Sequence, residues 1–194
     1  MQAMLKYRFR GFVFGLLVVS LGGVPALTAQ AAEEVRIGLN APLTGPYRVQ
    51  GLQQLRAAEL ALEEINAAGG IDGRTVRLIQ RDSKSKVDVT NKNVTEMIED
   101  DGVAMVFGGS SSAVAIAAGK ICQAKGVPFF GTLTYSTETT GTEGHRYVFR
   151  ECYDAWMGAK ALAAYLKTNF PSDQNRYFYI TADYTWGHTT EASI

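Results

Sequence analysis

Four short stretches gather the side chains suited to holding a small molecule. "GGSSSAVA" (108–115) sets Ser110, Ser111 and Ser112 ahead of an Ala-rich apolar segment. Serine caps a helix by accepting one of its free amides. A helix N-terminus also carries unpaired N–H groups and partial positive charge, which with a hydroxyl suit a carboxylate or other anion. "NAPLTGPYRVQG" (40–51) is a loop shaped by Pro and Gly that presents Tyr47 and Gln50. "GTLTYST" (131–137) offers the hydroxyls of Thr132, Thr134, Tyr135 and Ser136. "ADYTWG" (182–187) adds Asp183, Tyr184 and Trp186, and aromatics of this kind cover an apolar ligand face while their polar tips stay wet. Each stretch also has a plainer role, as a cap, a turn, a polar loop or a packing contact.

Reaction chemistry has little support. His145 and His188 are the only histidines, and neither stands at a metal-ligand spacing. No Gly-x-Ser-x-Gly elbow, GxxxxGK[ST] loop or GxGxxG fingerprint occurs, so neither a nucleophilic serine nor a nucleotide cofactor is expected. Polar, uncharged loops with aromatics suit binding without turnover. A secreted enzyme on the same scaffold is the weakest of the readings.

The elements that must position these loops alternate along the chain. Strand-like runs stand at 35–39, 75–80, 103–109, 127–131, 146–151 and 176–182. Between them Leu52, Leu55, Ala58, Leu62 and Ile65 recur at helical spacing, as do Val87, Thr90, Val94, Met97 and Ile98, and 112–124 is helical by composition. Asp154 is placed to cap a helix running to about Lys167, and Gly187 falls in another helical start. Alternating strands and helices predict a parallel sheet with helices on its faces, an α/β fold that binds ligands beyond the carboxyl ends of its strands. Residues 132–145 read as a long loop, often functional at that length.

The 194 residues carry 19 basic and 19 acidic side chains. Lys6, Arg8 and Arg10, the apolar run from Gly11 to Leu21 and Ala29-Gln30-Ala31 read as a cleavable signal peptide over 1–31. The run is shorter than the ~20 residues a membrane span needs. Cleavage removes three basic residues and leaves 16 against 19 acidic, a balance that gives no pull toward nucleic acid. Cys122 and Cys152 fit no metal motif; export would allow them to form a disulfide, and the apolar setting of Cys122 favours two free thiols. Residues 32–151 then form an N-terminal lobe. Residues 152–194 form the start of a second lobe, which stops within its last helix as a fragment would.

"VRIGLNAPLTGPYRVQG", "ALEEINAAGGIDGRTVRL" and "RDSKSKVDVTNKNVTEMIEDDGVAMVFGGSSS", in this order, resemble the periplasmic solute-binding proteins of branched-chain amino acid and amide-type ABC transporters. The resemblance runs from about Val35 to Ile194. It implies a type I periplasmic binding protein, with two Rossmann-like lobes that close on a ligand and present it to a membrane permease. It implies a monomer without cofactor, located in the periplasm. By this resemblance Ser112 meets the ligand carboxylate, Leu133, Thr134 and Tyr135 give backbone and hydroxyl contacts, Trp186 covers the ligand, and Gln50, with Tyr47 beside it, contacts it from the first loop. Many amino-acid binders carry Thr where Tyr135 stands, Tyr where Trp186 stands and an aromatic where Gln50 stands. The early-loop cysteines of leucine-type binders are missing around Ser83, and the acid that usually pairs a ligand's amino group lies past Ile194. An amino acid, an amide and an aromatic acid all stay open as ligands. A sensory ligand-binding lobe of the same fold is the alternative function.

Overall fold

The computed structural model describes residues 34–170 and 176–194, so the signal segment 1–31 lies outside the described residues. Five parallel strands form one sheet: β1 (Val35–Ala41), β2 (Val76–Asp82), β3 (Met105–Gly108), β4 (Phe129–Gly131) and β5 (Val148–Arg150). Their order across the sheet is β2-β1-β3-β4-β5. Parallel neighbours cannot be joined by tight hairpins, so helices cross between them: α1 (Arg48–Ala67), α2 (Val87–Glu99) and α3 (Ser112–Lys125). Helix α4 (Ala155–Asn169) follows β5, and α5 (Thr185–Ser193) ends the described chain.

The core lies where α2 and α3 pack on one face of the sheet. Val94 and Met97 of α2 and Ala118 and Cys122 of α3 meet Val106 and Phe129 of the strands. Phe129 fits there because glycines surround it: a Cβ at Gly109, Gly119 or Gly131 would lie within 4 Å of its ring. Helix α1 covers part of the opposite face, over Ile37, Leu39 and Phe107. On that face Phe107, Phe130 and Phe149 stack in a ladder across β3, β4 and β5, with ring centroids 4.9 and 5.2 Å apart.

The strand expected at 176–182 does not form. The segment has no regular secondary structure and pairs with no described strand, and Phe178 and Ile180 are 90% and 91% exposed. A strand satisfies its N–H and C=O groups on a neighbour, and β-forming residues alone do not supply one. The loop at 132–145 also has more structure than expected. It holds a 3-10 turn at Thr137–Thr139, capped by Ser136, and buries Thr134, Ser136 and Thr139. Cys122 and Cys152 are free thiols, as the sequence suggested. Burial pushes the Cys122 thiol up to about 12, which leaves it a small protonated hydrophobe. Burial also raises Cys152, offset in part by the Arg150 charge, and its thiol donates to the Thr134 carbonyl at 3.4 Å.

Candidate functional site

In the order β2-β1-β3 the chain leaves β1 toward one edge of the sheet and β3 toward the other. The loops after β1 and β3 therefore part at the strand tips and leave a crevice, the usual ligand position in open α/β sheets. A cleft of about 300 Å3 lies there. Tyr47 and Gln50, at the start of α1, line one side. Ser110, Ser111 and Ser112, leading into α3, line another. Leu133 and Tyr135 enter from the loop after β4, and Tyr184 and Trp186 from the start of α5. Six of the seven side chains expected at the site thus share one cleft. The seventh, Thr134, lies beneath it, fully buried, with its hydroxyl 2.7 Å from that of Thr139.

Local sequence explains these positions. Gly109 takes φ +88°, which L side chains rarely adopt, and turns the chain from β3 into the serines. Ser111 is the N-cap of α3, its Oγ accepting the Val114 amide at 3.4 Å. Ser112 is the first helical residue, and its buried Oγ accepts the Ser136 amide at 3.0 Å. A hydroxyl that accepts one bond keeps its own proton to donate. The amides of Ser112 and Ala113 have no acceptor among the described residues, as expected in the first turn of a helix. The serine wall thus offers donors and partial positive charge. At the α5 end a Cβ on Gly187 would fall on the Ala182 carbonyl, so glycine is required there for the tight turn that follows Tyr184 and Trp186.

Sequence reasoning missed Tyr153. It lines the cleft from the loop between β5 and α4, with its ring stacked on Tyr135 at 4.7 Å. An aromatic just before the Asp154 cap, in another loop at a strand's carboxyl end, was the available signal. Asp154 does cap α4, accepting the Met157 amide at 2.8 Å. Burial first, then the neighbouring Tyr47 phenol, pushes Tyr184 up to about 12. Burial first, then Cys152 and Tyr153, raises Tyr135 as well. Both phenols therefore stay protonated donors at neutral pH.

No charged side chain lines the cleft among the described residues. Asp183 points to solvent and pairs with His188 at 3.1 Å. No group of three or more His, Cys, Asp or Glu among the described residues is arranged to hold a metal. A wider groove of about 720 Å3 runs along α2 and α3 to Thr185 at the start of α5, and Lys120 and Glu143, which border it, pair with each other at 2.7 Å. The arrangement in the strand-tip cleft suits a small solute with an acceptor group for the serine wall and a body to lie between aromatic rings.

Known proteins share these features. The family model described as periplasmic binding protein matches residues 34–194. The Leu/Ile/Val-binding protein homolog 8 of Brucella suis biovar 1 is 36% identical over 137 residues, 70% of this chain and 34% of the relative. The branched-chain amino acid transporter substrate-binding protein LivJ of Streptococcus pneumoniae, solved with isoleucine, superposes with a TM-score of 0.66 at 27% identity, covering 71% of this chain and 39% of that one. An ABC transporter substrate-binding protein of Desulfitobacterium hafniense, solved with Leu, gives 0.69 at 25% identity, covering 83% and 46%. The chain thus spans about a third of the length of the curated relatives it matches. With a family match running through every described element and a cleft at the parting of β1 and β3, this chain belongs to the periplasmic binding protein family.

Proposed function

We propose that the strand-tip cleft binds a small polar solute, an amino acid or a related amide or carboxylate, for delivery to an ABC permease from the periplasm. In this reading residues 1–31 are the export signal, residues 32–151 belong to the first lobe, and residues 152–194 begin the second. The observation that carries it is the meeting in one cleft of the serine-bearing N-terminus of α3 with Tyr47, Tyr135, Tyr153, Tyr184 and Trp186. Ser112 and the first amides of α3 bind the solute's carboxylate or carbonyl, and the rings close over its body. The isoleucine and leucine complexes of the structural neighbours support an amino acid as the first ligand to try.

The test is a ligand panel on the mature full-length protein, followed by thermal unfolding. The panel holds leucine, isoleucine, phenylalanine, short amides, urea and aromatic carboxylates. A ligand that binds only the folded state adds about 2.7 kcal/mol of stability at a hundred-fold excess over Kd. We expect one chemical class to raise the midpoint and the others to leave it unchanged. A flat response to every compound would remove amino acids and their relatives as the solute.

A further inference from the structure

We infer that Ser136, clamped by the buried Arg150–Asp154 ion pair, is a positioning residue that sets the Ser112 hydroxyl in the cleft and ties it to the helix carrying Trp186. The inference rests on the binding reading of that cleft. Ser136 is fully buried, and each of its polar groups is engaged by a different part of the fold. Its amide donates to Ser112 Oγ at 3.0 Å. Its carbonyl accepts from Arg150 Nη1 at 3.2 Å. Its hydroxyl caps the 3-10 turn and lies 3.3 Å from the hydroxyl of Thr189 on α5.

Arg150 is in turn fixed by Asp154, with Nη2 2.7 Å from Oδ2 and side chains only 11% and 14% exposed. The other Asp154 oxygen caps α4. Water does not screen a pair this enclosed, and removing one partner leaves the other charge buried and uncompensated. Neither Arg150 nor Ser136 lines the cleft, so neither touches solute. They act through Ser112 on one wall and Thr189 on the other, which couples the hydrogen-bonding wall to the aromatic one.

The test uses the full-length protein with Trp156→Phe, so that within the described chain Trp186 is the remaining tryptophan, and compares Arg150→Gln with Arg150→Lys. All measurements are made where each variant is fully folded. Without any ligand, Arg150→Gln is expected to speed amide exchange in α5 about ten-fold or more and to increase acrylamide quenching of Trp186, with β1–β3 exchange unchanged. Arg150→Lys keeps the charge but cannot fork to both partners, and is expected to fall between. Exchange in α5 at the wild-type rate, or a rise spread evenly over all elements, would overturn the inference. For a panel compound that binds the parent protein, Arg150→Gln is expected to weaken affinity ten-fold or more, and unchanged affinity would equally overturn it. A parent protein that binds no panel compound refutes the amino-acid reading instead, and the exchange measurement then decides the positioning role alone.

Discussion

The two walls of the cleft are built differently. The serine wall grows out of the sheet: Thr132 and Leu133 donate their amides to the carbonyls of Gly108 and Gly109, and α3 lies directly on the Phe129 core. The Ser111 and Ser112 oxygens are positioned by accepting backbone amides before any ligand arrives. The aromatic wall hangs on a nine-residue helix with no side-chain N-cap, reached through an irregular segment with exposed Phe178 and Ile180. That helix packs on α4, and its Thr189 hydroxyl lies 3.3 Å from that of Ser136. One wall is prepositioned by burial in the sheet core, and the other rests on α4 and a few polar contacts. A binding protein that closes on its ligand has use for both kinds.

The largest effects should separate the walls by stability. Phe129→Ala empties a fully buried site ringed by glycines, which have no side chains to fill the space. It should cost about 3–5 kcal/mol. Phe178→Ala removes a ring that already faces solvent and should stay within about 0.5 kcal/mol. Denaturant midpoints read both, and comparable losses would mean that the aromatic wall has a core of its own.

Affinity comes next. Ser112→Ala deletes the hydroxyl expected to meet a charged acceptor, worth roughly 1.5–3 kcal/mol, or about ten- to a hundred-fold in Kd. The same change leaves the Ser136 amide without its acceptor, so Ser112→Ala should also lower stability. Trp186→Ala should weaken binding while leaving the unfolding midpoint almost unmoved, since Trp186 is only half-buried and outside the Phe129 core. Calorimetric titration with the ligand found in the panel, paired with thermal unfolding, checks the contrast. If Trp186→Ala lowered the midpoint but not the affinity, the ring would belong to packing.

The same contrast explains what the sequence could show. The residue pattern located β1 to β5 and α1 to α4: a 3.6-residue repeat marks Leu52–Ile65 and Val87–Ile98, apolar runs mark strands, composition marks α3 and the Asp154 cap marks α4. The cleft was legible because ligand loops in this architecture follow strand ends, which brought the three serines, Tyr47, Gln50, Tyr135 and Trp186 forward; the family resemblance singled out Ser112 and added Leu133. Ser136 and Thr139 were not legible as buried residues. A run of threonines and serines looks solvated, and the burial of Ser136 depends on partners 14 to 53 residues away, such as Arg150 and Thr189. The 176–182 run was misread because strand formation is a property of a pair, and alternation in one segment says nothing about its neighbour.

The smallest effect sharpens the comparison from the far side of the cleft. Asp82, at the tip of β2, accepts the amides of Leu43 and Lys84, both at 2.9 Å, and of Thr44 at 3.3 Å, together with the Thr44 hydroxyl. It thereby holds the loop that leads into Tyr47. Partial burial works to raise its pKa, but the hydrogen bonds from Thr44, Lys84 and Leu43 outweigh it and hold the carboxyl below its ordinary value. A depressed folded-state pKa adds stability that is fully present above the ordinary carboxylate range, near 4, and is lost as the pH falls through the lower folded value. Wild type should therefore lose thermal stability below about pH 4 more steeply than Asp82→Asn, which has no such proton to gain. Because Tyr47 and Tyr184 line the same cleft as Trp186, the same acidification should raise acrylamide quenching of Trp186 in wild type more than in the variant. Parallel stability curves would show that the loop does not depend on the Asp82 charge. A steeper stability curve without the change in quenching would mean that Tyr47 contributes nothing to placing the aromatic wall, and would leave that task to α4, Thr189 and Ser136.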